Sequence, residues 1–203
     1  MSTAAATPYG ARIVVAPSKS EIPPALHRPI VEACSSALNE RNVFVIALSG
    51  GSLPSFLSTL SDAFEESGVD PSYDKWRVLL ADERCVPSTH GDSNIKALRE
   101  NFLGKVPVPP ERVYGIDESL LSDGHSTAEV ADEYERRALM PILAESGGKI
   151  DVAVLGFGPD GHTCSLFPGH DLLTEEGRLV APIEDSPKPP PVGSPSPSPS
   201  STA

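Results

Sequence analysis

A CxxC pair, a net positive charge and long apolar runs are all missing from this sequence. Its three cysteines, Cys34, Cys85 and Cys164, contain no CxxC spacing. An odd count without such spacing argues against a disulfide framework and fits a reducing compartment. Lys and Arg number 16 against 28 Asp and Glu, a net charge of −12. That balance argues against nucleic acid or an anionic membrane as the main partner, because both need a basic surface. It leaves room for a phosphorylated small molecule, which needs only a local pocket of donors. No apolar run approaches the length of a membrane-spanning helix, and Met1–Gly10 has neither a basic nor an apolar leader pattern. The expectation is a soluble, cytoplasmic protein.

What is plentiful is proline, with 22 residues in a chain of 203. Residues 186–203 alone carry seven prolines and six serines. Such a segment has little to bury and is expected to be a disordered tail. The expected organisation is a flexible stretch at 1–10, one α/β domain at 11–185 and the tail at 186–203. The body is long enough for one substantial core.

Along that body, short β-branched runs alternate with amphipathic stretches. ARIVVA at Ala11–Ala16, VFVIAL at Val43–Leu48, WRVLLA at Trp76–Ala81 and IDVAVL at Ile150–Leu155 read as strands. Val113–Ile116 and Leu179–Ile183 read as shorter ones. Helical spacing marks Pro29–Leu38, Pro54–Glu66, Asn94–Phe102 and Ala128–Leu143, with Pro23, Pro24 and Pro29 expected to limit the start of the first. Strands separated by helices predict an α/β fold, a mainly parallel sheet with helices on both faces. In such sheets ligands bind at the carboxyl ends of strands.

Three strand ends carry the chemistry. The first, Leu48-Ser49-Gly50-Gly51-Ser52-Leu53-Pro54, is a strand–turn–helix whose amides and hydroxyls suit a phosphate. It is neither a P-loop nor GxGxxG, and it also fits a plain turn capped by Ser52. The second, Asp82-Glu83-Arg84, puts three charges where they would project into the crevice, with Arg84 suited to a phosphate, a carboxylate or a developing oxyanion. The alternative there is a surface ion pair. The third runs from Gly156 through Gly158, Asp160, Gly161 and His162 to Pro168. Histidine's ordinary pKa range suits His162 to a general base's task, and Asp160 could orient the imidazole or bind substrate hydroxyls. Asp160, His162 and His170 lack the spacing of a known metal site, and no GxSxG elbow supports Cys164 or Ser165 as a nucleophile.

LSGGSxP, DERxVP and LGxGPDGHTxSLFP, in that order, resemble the 6-phosphogluconolactonases. Each motif alone is weak, whereas the three together are specific, and the resemblance runs from about Ile13 to Pro191. The related glucosamine-6-phosphate deaminases share the fold and the SGGS-type turn but not the SLFP continuation, and they are the runner-up. The resemblance implies a Rossmann-like sugar-phosphate isomerase/lactonase fold and hydrolysis of 6-phospho-D-glucono-1,5-lactone in the oxidative pentose phosphate pathway, with no metal or organic cofactor. It assigns His162 as the general base, Arg84 and Asp160 as its catalytic companions, and Ser49, Gly50, Gly51, Ser52, Asp82, Gly161 and Lys188 to substrate and phosphate. A phosphorylated sugar lactone is the implied partner, and a monomer is expected.

After Pro191 the chain departs from that family. Family members continue with an arginine, two apolar strands and a glycine-rich turn bearing a lysine that helps hold phosphate. Here the sequence reads VGSPSPSPSSTA. The expectation is therefore a sheet incomplete at its C-terminal end and weak or absent activity. A catalytically inactive sugar-phosphate-binding or regulatory protein, its tail serving as a polyproline ligand, is the non-enzyme alternative.

Overall fold

A computed structural model of the chain describes residues 11–122, 124–188 and 196–197. Three parallel strands form its centre: β1 (Phe44–Leu48), β2 (Trp76–Leu80) and β3 (Val152–Val154), in the order β2-β1-β3. Phe44 pairs with Trp76 and Leu48 with Leu80 on one side of β1, and Ile46 pairs with Val152 on the other. Every residue of β1 and β2 is buried. That explains the unbroken apolar run of β1, since a strand covered on both faces has no solvent side to mark with polar residues; in β2 the one exception, Arg77, is buried and paired with Glu145.

The helices divide between the two faces. α1 (Ile22–Arg41), the short α2 (Leu53–Phe56), α3 (Leu60–Ser67) and α4 (Asn94–Asn101) enclose a core built from Phe44, Ile46, Leu48, Leu57, Phe64, Trp76, Val78 and Leu98. Trp76 anchors it, edge-on to Phe44 at a ring separation of 4.9 Å, with its indole N–H donated to the Pro71 carbonyl at 2.8 Å. After the single turn α5 (Ser119–Ser122), α6 (Thr127–Tyr134) and α7 (Met140–Ser146) cover the other face, joined by a π-helical turn over Glu135–Leu139. Val45, Ala47, Leu79, Tyr134, Ala138 and Ile142 fill that second core. The predicted α/β class and its two helical layers are therefore present.

Several predicted boundaries shift for physical reasons. The first helix begins at Ile22, not near Pro29, because Pro23 and Pro24 occupy its first positions, where a missing N–H costs nothing, and Pro29 lies inside it. The single helix expected over Pro54–Glu66 is broken between Phe56 and Leu60 into α2 and α3. Residues 13–16 form no sheet strand: Ile13, Val14 and Val15 are exposed, and among the described residues their β-branched pattern has no layer to pack on. Val113 makes only one bridge, to Val78. β3 is less enclosed than its sequence suggests. Val154 is buried, but Ala153 and Leu155 point to the side of the second core and are exposed. Among the described residues no layer covers that part of the sheet.

The short strand β4 (Val180–Ala181) packs beside α6, and Ser196–Pro197 (β5) pairs with it antiparallel. Proline is compatible with such an edge position. The rest of the expected tail beyond Lys188, and the stretch 1–10, lie outside the described residues. No described helix is long and apolar enough to cross a membrane.

Candidate functional site

The carboxyl ends of β1, β2 and β3 open into one cleft of about 430 Å³. Its walls include Ser49, Gly50, Gly51 and Ser52 after β1, Asp82 and Arg84 after β2, Asn94 at the start of α4, and Gly156, Phe157, Gly158, His162 and Cys164 after β3. All three loaded segments thus meet where a parallel sheet places its ligands. Among the predicted site residues, Asp160, Gly161 and Lys188 stand outside the wall. Asp160 nevertheless hydrogen-bonds His162, and the Lys188 ammonium lies 3.9 Å from the other Asp160 oxygen.

The histidine loop is shaped around its imidazole. Gly158 N–H donates to the His162 carbonyl at 2.8 Å, and Gly161 N–H donates to the Gly158 carbonyl at 3.0 Å. This folds residues 158–162 into a tight turn. A Cβ at Gly158 would lie 2.1 Å from His162 Cε1 and 2.2 Å from Nδ1, so only glycine lets the ring lie against the backbone. Asp160 accepts from His162 Nδ1. A carboxylate can only accept, so this contact places the proton on Nδ1 and leaves the lone pair on Nε2. The bond to His162 holds the Asp160 carboxyl below its ordinary pKa, with smaller help from Lys188. Phe167 packs against the ring at 5.0 Å between centroids.

Hydrogen bonds tie the three strand ends together. The Ser49 hydroxyl donates to Asp82 Oδ1 at 2.6 Å, and the Cys164 thiol reaches the Ser49 oxygen at 3.8 Å. Ser49 N–H is taken by the Val154 carbonyl at 3.1 Å. Both Ser49 donors are therefore occupied. Ser49 braces the site, whereas the Gly50 and Gly51 amides beside it have no acceptor among the described residues. Ser52 makes no side-chain cap, so the plain capped-turn reading fails. Cys164 adopts φ 52°, in the left-handed region, and burial pushes its thiol up to about 12. A thiol so poorly ionised is no nucleophile at neutral pH.

The expectation that all of Asp82-Glu83-Arg84 faces the crevice needs correction. Glu83 turns inward and is 2% exposed. Its Oε1 accepts from the Arg84 and Asn94 amides at 2.8 and 2.7 Å, and its Oε2 accepts from Ile95 N–H at 2.9 Å and the Ser93 hydroxyl at 3.3 Å. The orphan donors at the start of α4 are thereby satisfied by a buried carboxylate. Burial raises its pKa, and the three backbone hydrogen bonds oppose that rise. Glu83 thus fixes Arg84 on one side and α4 on the other. Arg84 is the one Lys or Arg lining the cleft among the described residues.

Asn94, which the sequence pattern did not single out, also lines the cleft. The only local signal was its place just after Ser93, the residue that caps α4. Among the described residues no group of three or more His, Cys, Asp and Glu is arranged to hold a metal ion. His170 pairs instead with Asp185 at 2.9 Å.

Comparison with known proteins adds a separate line of evidence. A family model described as glucosamine-6-phosphate isomerases/6-phosphogluconolactonase matches residues 17–192. The 6-phosphogluconolactonase of Rattus norvegicus is 38% identical over 187 residues, covering 92% of this chain and 71% of that protein. The chloroplastic 6-phosphogluconolactonase 3 of Arabidopsis thaliana is 42% identical over 159 residues, 74% of this chain but 47% of its own length. The chain therefore spans about half of that plastid relative. A solved structure of 6-phosphogluconolactonase from Trypanosoma brucei superposes with a TM-score of 0.73 at 28% identity, covering 93% of this chain and 76% of that one.

Proposed function

The chain belongs to the glucosamine-6-phosphate isomerase/6-phosphogluconolactonase family, and on that premise we propose that its strand-end cleft hydrolyses 6-phospho-D-glucono-1,5-lactone to 6-phospho-D-gluconate. The observation that carries this reading is the His162–Asp160 pair, set on the loop after β3 and facing the Gly50–Gly51 turn and Arg84 across one cleft.

In this reading His162 Nε2 takes a proton from water as the water oxygen attacks the lactone carbonyl carbon. The C–O bond to the ring oxygen then breaks, and the imidazolium returns its proton to that oxygen. The ring becomes an open-chain acid. Asp160 holds the tautomer and stabilises the transient imidazolium, with Gly161 giving the loop its turn. Arg84 and the Gly50 and Gly51 amides, with the Ser52 hydroxyl, receive the phosphate. Asp82 acts through Ser49, and Lys188 through Asp160. A dianion served by a single lining cation is held weakly, so a high KM is expected. No step calls for a metal or an organic cofactor. A monomer working in the cytoplasm belongs to the same proposal.

The test is lactone hydrolysis measured above its spontaneous background, in the purified chain and in His162→Ala. Loss of a general base is expected to lower kcat by roughly 10²–10⁴-fold. A folded His162→Ala variant that keeps most of the activity removes His162 as the base. Ammonia release from glucosamine 6-phosphate at a comparable rate would overturn the choice of the lactone.

A further inference from the structure

Asn94 is held more tightly than its place in a helix requires. It is the first residue of α4, is 5% exposed, and lines the cleft. Its amide N–H goes to Glu83, and its Nδ2 donates to the Asp82 carbonyl at 2.9 Å. That second bond fixes which way the side-chain amide faces, because a carbonyl accepts only from the nitrogen. Oδ1 is thereby directed at Gly50: a Cβ there would lie 1.8 Å from it.

No donor among the described residues bonds Oδ1. Helix capping does not account for the residue, since Ser93 already provides the cap by accepting from Lys96 N–H. Oδ1 keeps some contact with solvent on the cleft side, so its hydrogen bond can come from a partner in the cleft. The opening onto the cleft supplies the place for that partner.

The geometry points to Asn94 as a substrate-contacting residue whose Oδ1 accepts a hydrogen bond from a ring hydroxyl of a sugar lying over Gly50. This rests on the lactonase reading and deepens it. The occupant must donate a hydrogen bond and must reach an oxygen that is itself seated against the Gly50 backbone. A polyhydroxylated ring does both. A site built to bond a hydroxyl also discriminates against an analogue lacking it, because its own polar group is then left unpaired.

The experiment compares Asn94→Ala with the unmodified chain on 6-phosphogluconolactone and on 6-phospho lactones lacking one ring hydroxyl each. Asn94→Ser, which carries a smaller polar group into the same space, is measured alongside, and thermal melts confirm that the variants fold. The expected result is a fall in kcat/KM of about 5- to 100-fold for the full substrate in Asn94→Ala, the cost of one lost hydrogen bond at a buried site. With the deoxy lactone missing the contacted hydroxyl, the same substitution is expected to have almost no effect. An equal fall for every lactone, in either folded variant, would mean that Asn94 only braces the strand ends, and would overturn the contact. An unmodified chain inert towards every lactone would overturn the lactonase reading itself, and the contact with it.

Discussion

The Ser49 hydroxyl donates to Asp82 Oδ1 at 2.6 Å, a buried bond between the ends of two adjacent parallel strands. It settles the direction of the Ser49 proton, which points to the neighbouring strand and not to a ligand. Removing it in Ser49→Ala leaves a buried carboxylate short of a donor, and the expected destabilisation is about 1–3 kcal/mol. Denaturant unfolding measures that loss. Because both Ser49 donors serve the scaffold, KM for the lactone should change less than the unfolding midpoint.

Gly158→Ala separates catalysis from folding. The added methyl meets the far end of the His162 side chain, which can swing away into solvent. The fold should therefore melt within a few degrees of the unmodified chain. Displacing the base by about 1 Å costs on the order of 10² in rate. A variant that melts normally and turns over normally would show that the imidazole works from another position.

Glu83→Gln tests the inward-facing glutamate. The neutral amide no longer bears the cost of burying a charge. Its NH₂ group, however, must face N–H or O–H donors that the carboxylate accepted from both sides. Donor against donor wins, and the expected loss is about 1–3 kcal/mol of stability. In the native protein the raised Glu83 pKa has the opposite sign from a surface ion pair. Its contribution to stability is greatest below the ordinary carboxylate range and declines as pH rises through the elevated folded value. Melting followed from acid to neutral pH in both proteins shows whether that slope disappears with the carboxyl.

Glu129 behaves the other way. Ser126 and Glu129 form a reciprocal cap at the start of α6. The Ser126 amide, followed by His125 and the Ser126 hydroxyl, lowers the Glu129 carboxyl from 4.5 to about 2. The folded value lies below the unfolded one. The stability it brings is therefore complete above pH 4.5 and is lost as pH falls towards about 2. Glu129→Gln, which keeps the capping geometry without the charge, should flatten the acid limb of the melting curve in that window.

The parts of this molecule visible in its sequence are those set by near neighbours. Val43–Leu48 was readable as a strand because burial on both faces leaves an unbroken apolar run, and Trp76–Ala81 because a single arginine breaks one only briefly. Gly158 and His162 lie four positions apart, so their turn was readable too. Glu83 was not, because a charge after a strand looks the same whether it turns outward or caps a helix from below. Asn94 was hidden for a similar reason: its meaning depends on Gly50, which only folding brings near. Ile13–Val15 misled in the other direction, carrying a strand's side chains without a neighbouring strand among the described residues.

The sheet order has a consequence for how the site comes into being. β1 sits between β2 and β3, but a hydrogen bond joining β1 to the start of β3, from Val45 N–H to Asp151, spans 106 residues, and the Cys164–Ser49 contact spans 115. Closing loops of that size costs chain entropy before the contact returns anything, so such pairings form late. During synthesis the turn after β1 and Arg84 leave the ribosome well before the histidine loop does. The glycine turn and Arg84 thus exist for a time without the His162 loop, and the cleft is complete only once the third strand has formed.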